Sequence, residues 1–170
     1  MLPIRLVTQD PFEYMHLVCL GVMKKLLVNA WVHGKYSKFS KLSAKSISII
    51  SARMKILRAY CPSDFAQLRS LDACTKYKAT EFRQFFLYTG PIVTYDILNQ
   101  QVYTYFLLLH AAIRILVSTS SSKIYLNFVE VALQKFVERC ENMYGSTFNS
   151  CNIHGLLHIA NDVRQLANFK

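Results

Sequence analysis

The sequence predicts a mainly α fold: one domain of 170 residues with at most one or two short strands. Three observations predict it. Apolar residues recur every three to four positions through most of the chain, the period of a helix with one buried face. Only 5 Gly and 4 Pro are present, too few for the many tight turns of a sandwich. Hydrophobic residues make up 52% and charged residues 18%, which supports a packed core and excludes a wholly disordered chain. A chain of this size folding alone buries roughly 70% of its unfolded surface, so it needs no staples.

Leu2, Ile4 and Leu6 alternate ahead of Asp10-Pro11 and read as a short strand running into a turn. From Tyr14 to about Val32 the period becomes helical, with Met15, Val18, Cys19, Val22, Leu26 and Trp31 on a broad apolar face. Gly34 to Lys41 is a lysine- and serine-rich loop. Ile47, Ile50, Met54 and Leu57 place a second helix over Ser43 to Tyr60, and Pro62 stops it. Ser63 to Tyr77 is irregular and polar. Lys78 to Tyr88 is a short helix ended by Gly90-Pro91, and Pro91 to Leu98 is another. Gln100 to Val117, apolar almost all the way round, is expected to be the central buried helix. A serine loop, 118–122, leads to an amphipathic helix over Lys123 to Tyr144. Its inward face is Ile124, Phe128, Val131, Phe136 and Val137; its outward face is Lys123, Asn127, Glu130, Gln134 and Glu138. Asn152 caps a last helix reaching about Leu166. There is no internal repeat and no interdomain linker.

Cys19, Cys61, Cys74, Cys140 and Cys151 are odd in number and contain no C-x-x-C, so they read as reduced residues of an intracellular protein. Pro3, Arg5, Gln9 and Asp10 interrupt any signal-peptide core. The longest apolar run, Tyr105 to Val117, is too short for a bilayer and holds His110 and Arg114. A nuclear or cytoplasmic protein without a membrane partner is expected.

Charge is the most informative compositional feature. There are 20 Lys+Arg against 10 Asp+Glu, a net charge of +10. Between Tyr14 and Ser63 there is no Asp or Glu, while Lys24, Lys25, Lys35, Lys38, Lys41, Lys45, Arg53, Lys55 and Arg58 all fall there. Tyr36 and Phe39 alternate with the lysines. Lysines neutralise phosphates and aromatic rings stack on exposed bases, so these nine cations are the candidate nucleic-acid contacts and DNA the candidate partner. The plainer reading is a solvated basic face whose acidic complement lies on a neighbouring segment or a partner protein.

Other constellations carry less. Glu13 and His16 form one E-x-x-H pair, but a di-iron bundle needs a second, and there is none. A carboxylate at a helix start and a half-buried histidine account for it as well. His154 and His158 have the spacing of a zincin pair, yet Gly155 stands where the general base would be, and packed or hydrogen-bonded histidines are the expectation. Lys78, Glu81 and Arg83 read as an ion-paired helix surface. No phosphate-binding glycine loop, nucleophile elbow or thiol–base pair is present, and no small-molecule substrate is implied.

Four stretches are longer and more specific. They are Phe12-Glu13-Tyr14-Met15-His16 running on to Leu27; Tyr77-Lys78-Ala79-Thr80-Glu81-Phe82-Arg83-Gln84-Phe85-Phe86 running on to Pro91; Tyr105 to Leu116 through His110-Ala111-Ala112; and His154-Gly155-Leu156-Leu157-His158 running on to Arg164. In this order, over nearly the whole chain, they resemble the transposase domain of CACTA (En/Spm-like) cut-and-paste DNA transposons. The resemblance implies a ribonuclease-H-like core with a helical insertion: 1–32 as a remnant of that core, one short strand plus a helix, and 43–167 as the insertion bundle. It also implies a chemistry in which three carboxylates hold two magnesium ions at a phosphodiester. Family members have Asp-Tyr-Met-His where this chain has Glu13-Tyr14-Met15-His16, and magnesium tolerates a displaced ligand poorly. The other two carboxylates belong to segments before Met1 and after Lys170. The expectation is a catalytically inactive, transposase-derived fragment: not an enzyme, without a catalytic residue, metal or cofactor of its own, and DNA-associated through 14–63. The alternatives are a helical protein-interaction module that pairs with a partner or itself through apolar surface exposed by truncation, or a relic without function. An active nuclease survives only if Glu13 joins carboxylates from another chain.

Overall fold

The computed structural model describes residues 14–62, 69–118 and 124–168, with side chains to Ile159. The strand expected over Leu2 to Leu6, Glu13, and the loop over 119–122 lie outside them. Among the described residues all regular structure is helical, which bears out the mainly α class.

Helix α1 (Tyr14–Val32) is the axis of the fold. Its turns are π-type over Tyr14–Met23 and Lys25–Val32, wider than the α-helix its spacing predicts. Val18, Cys19, Val22, Met23, Leu27, Ala30 and Trp31 are wholly buried. Among the described residues α1 alone is long and apolar enough to cross a membrane, but more than half of it is buried inside the protein, as a core helix is. Helix α1 buries a larger share of its residues than the helix over Gln100–Val117, which was expected to be buried almost all the way round.

Helix α2 (Ala44–Arg58) starts where Ser43 Oγ accepts the Ser46 N–H at 3.0 Å. It buries only Ile50 and Met54, and gives way to a turn at Ala59 before Pro62 is reached. The stretch expected to be irregular holds a 3-10 turn, Leu71–Lys76, with Leu71 and Cys74 buried under α2.

Helix α3 (79–93) corrects the expected stop at Gly90-Pro91. Its α-turns over Ala79–Gln84 pass through one π-type turn, Phe85–Thr89, and continue as Gly90–Val93. Proline lacks an N–H, and its ring clashes with the carbonyl four residues back. The wider turn is one way a helix absorbs that, and here the Gly90 N–H donates to the Phe85 carbonyl. A Cβ at 90 would sit 2.6 Å from that oxygen, so the position requires glycine.

Helix α4 (Gln100–Val117), capped by Asn99 Oδ1 on the Gln101 N–H at 2.9 Å, has the predicted bounds. It is one-sided: Val102, Phe106, Leu109, Ala112, Ile113 and Leu116 are buried, while Thr104 and Arg114 are exposed. Helix α5 (Leu126–Tyr144) lies between α4 and α6 and buries Val129, Ala132, Leu133, Phe136, Val137, Cys140 and Tyr144. Ile124, Phe128 and Val131, expected to face in, are 74%, 46% and 50% exposed, because the buried seam starts at Val129. Helix α6 (Cys151–Asn168) begins one residue before Asn152, which lies in the first turn and is not the cap. Two glycines let α6 approach α1. A Cβ on Gly21 would meet Asn152 Cγ at 2.8 Å, and one on Gly155 would meet Leu17 Cδ1 at 2.8 Å.

Truncation was expected to bare the apolar face of the core helix. That face is covered instead, by α3 and α6.

Candidate nucleic-acid interface

The cationic loop is built from the unpaired end of α1. A helix leaves its last carbonyls without intrahelical partners, and here the loop itself supplies donors. The His33 N–H donates to Val28 O at 2.9 Å, Lys35 N–H to Asn29 O at 2.8 Å, and Leu42 N–H to Trp31 O at 2.7 Å. The buried Ser40 hydroxyl reaches Ala30 O at 3.5 Å and Ser37 O at 3.2 Å. Gly34, at φ +62, makes the left-handed turn that a glycine after a helix end provides, and a Cβ there would collide with the Lys41 side chain. The loop is thus pinned on both sides of the turn at 38–40.

Aromatic contacts carry this position into the core. Trp31 Nε1 donates to Tyr144 Oη at 3.2 Å and its ring meets Phe106 edge-on at 5.1 Å. Tyr144 stacks on Phe148 at 4.4 Å, and Phe148 meets Tyr36 edge-on at 5.0 Å. Lys25 closes the row: Nζ donates to Phe148 O at 2.6 Å and stands 4.9 Å from the Phe148 ring centre and 5.4 Å from that of Tyr36. Burial, with the charge of Lys35 nearby, lowers the Lys25 pKa.

The nine candidate cations therefore divide. Lys25 is a structural anchor. Arg53 Nη1 donates to Val93 O at 3.2 Å, Tyr95 O at 2.8 Å and Asp96 Oδ1 at 2.8 Å, tying α2 to the end of α3. Lys24, Lys35, Lys38, Lys41, Lys45, Lys55 and Arg58 are exposed. Lys35, Lys38 and Lys41 lie on the pinned loop beside the C-terminus of α1, where the helix dipole favours positive charge, and Lys45 follows in the first turn of α2, where the dipole of α2 does not. Lys55 and Arg58 lie farther along α2, where at about 100° per residue they stand roughly 80° and 140° round the helix from Lys45. Of the two aromatics expected to stack on bases, Tyr36 is half-buried against Phe148, and Phe39 is 48% exposed.

The remaining candidates resolve differently. Glu13 is outside the described residues. His16 is exposed rather than half-buried, and of the two expectations for His154 and His158, packed or hydrogen-bonded, their exposure removes the first. Among the described residues no three His, Cys, Asp or Glu side chains form a metal-binding group. Glu81 is buried and takes a two-pronged bond from Arg69, Nε to Oε1 at 2.6 Å and Nη2 to Oε2 at 2.7 Å, with the Lys78 N–H on Oε2 at 2.7 Å. The Arg69 bonds hold its carboxyl below the usual range. The expected surface network of Lys78, Glu81 and Arg83 is therefore an internal Arg69–Glu81 pair, which no local spacing signals. Burial pushes the Cys19 and Cys74 thiols up to about 11 and Cys140 to about 12, so these three are poor nucleophiles at neutral pH.

No protein-family model matches the chain, and no curated protein or solved structure matches it. The resemblance to CACTA transposases is carried by the quoted motifs alone.

Proposed function

We propose that this chain is a transposase-derived, catalytically inactive protein that associates with DNA through Lys35, Lys38, Lys41 and Lys45. The observation that carries the reading is a pinned, acid-free loop whose lysines are exposed at the C-terminus of a buried helix. Cations fixed this way meet phosphates without first being drawn off an internal carboxylate. The inactive part of the reading rests on Glu13 standing where the resembled family has Asp.

Binding to a generic duplex across a salt series tests it. With four phosphates neutralised, the logarithm of affinity should fall against the logarithm of salt with a slope of about −3.6. The variant with Lys35, Lys38, Lys41 and Lys45 changed to Ala should lose both the binding and the slope. Absence of binding at low salt by the folded protein overturns the proposal.

A second reading, a helical protein-interaction module, is favoured by the exposed Ile49 and Ile56 on α2 with Tyr60 in the turn after it, and by Ile124 just before α5 with Phe128 and Val131 on it. An apolar interface of that kind is insensitive to salt, which separates the two.

A further inference from the structure

We propose that Phe39 is a base-stacking residue, and that the loop takes single-stranded nucleic acid with unpaired bases in preference to duplex. The inference rests on the phosphate-binding reading above and adds what that reading leaves open, the form of the nucleic acid. Around the turn the side chains alternate in role. Lys38 is exposed, Phe39 is 48% exposed, Ser40 is buried and Lys41 is exposed. The Phe39 N–H is held by Ser37 Oγ at 3.1 Å, and the Ser40 hydroxyl fixes the turn from below. The backbone that carries the ring is thus fixed, and the ring stands about half-exposed in a segment with an exposed lysine on either side. Tyr36, its partner in the sequence pattern, is already engaged with Phe148 and Lys25, so one aromatic face remains for a ligand.

A lone ring flanked by lysines suits one chemistry best. Stacking needs one exposed face, tolerates any base, and is reinforced by cations on the adjoining phosphates. A duplex hides its base faces, so it offers the lysines phosphates and groove edges but leaves the ring no base to stack on. A membrane surface would draw on the same charges, but interfacial binding scales with buried apolar area, and the loop has only this one ring to bury.

The test compares four probes: an oligothymidylate, an abasic chain of equal length, a duplex of equal length, and phosphatidylcholine–phosphatidylserine vesicles. Oligothymidylate should bind about tenfold tighter than the abasic chain, and Phe39→Ala should erase that difference while leaving duplex binding unchanged. Phe39→Trp should keep the preference. Trp31, the chain's only natural tryptophan, is buried, so the new indole is the exposed fluorophore, and oligothymidylate but not the abasic chain should quench it. Equal affinity for oligothymidylate and abasic chain, unmoved by Phe39→Ala, overturns base stacking and leaves phosphate binding standing. No binding to any nucleic acid overturns both. Vesicle binding lost in Phe39→Ala, without a preference for oligothymidylate, overturns stacking in favour of a lipid surface.

Discussion

The two helices of the acid-free segment share a composition and little else. Helix α1 is largely buried, with Val18, Val22, Met23 and Trp31 sealed from solvent, and its Lys25 is drawn into the aromatic row. Helix α2 buries Ile50 and Met54 and leaves Ile49 and Ile56 in solvent together with Lys45 and Lys55. A run of fifty basic, acid-free residues thus contains both the core of the protein and a piece of its rim. Charge composition identifies a segment without acidic residues. It does not identify a surface; the position of each cation relative to the buried seam does that.

The largest break in this comparison comes from its apolar residues. Trp31→Ala removes a buried ring, the hydrogen bond to Tyr144 and the edge contact with Phe106, and should cost about 4 kcal/mol in a urea melt. Ile56→Ala, on a side chain 64% exposed, should change stability by no more than about 0.5 kcal/mol. A comparable loss at both positions would mean that α2 is as central as α1. The cations give a smaller contrast. Lys25→Ala gives up the bond to Phe148 O and contact with two rings, and should cost about 1.5 kcal/mol while leaving DNA affinity to the loop lysines. Lys45→Ala should do the reverse: near-neutral in stability, weaker in duplex binding, with a salt slope lower by about 0.9. The two readouts crossing over is what a split between anchor and contact requires.

The extent to which the sequence revealed this follows from the range of each force. Local signals were legible: the helical period over α1 and α2, the loop between them and the bounds of α4 all act within a few residues. What depended on partners distant in sequence was not. Ile124, Phe128 and Val131 satisfy the helical period as well as the true seam does, and only the placement of α4 and α6 decides between them. The π-type turn that carries α3 through Gly90-Pro91 comes from accommodating proline inside a helix, where the dipeptide alone reads as a stop. The same limit applies at the interface. Composition named nine cations, but the capture of Lys25 by Phe148 lies 123 residues away in sequence and that of Arg53 by Asp96 lies 43 away.

Acid provides the last and smallest contrast, because neither α1 nor α2 carries a carboxylate that could be protonated. Acid sensitivity must originate elsewhere, and two groups supply it. His110 is half-buried on α4, its Nε2 3.2 Å from Leu87 O and its ring edge-on to Phe86, and burial holds its pKa below the usual histidine value, with the charge of Arg114 acting in the same direction. As pH falls below about 6.5 the unfolded chain takes up this proton before the folded one, so stability begins to drop there. Glu81 titrates below the usual carboxylate value because of Arg69, so the stability it contributes is present above about 4.3 and is lost as pH falls further. Thermal melts should therefore show two successive losses on acidification. His110→Gln should remove the first. Glu81→Gln should remove the second and lower the melting temperature at pH 7 by roughly 4 °C, an effect that vanishes in acid. If instead the losses persist in both variants, another titratable group, such as the Asp96 that pairs with Arg53 of α2, supplies the acid sensitivity, and its assignment to His110 and Glu81 fails.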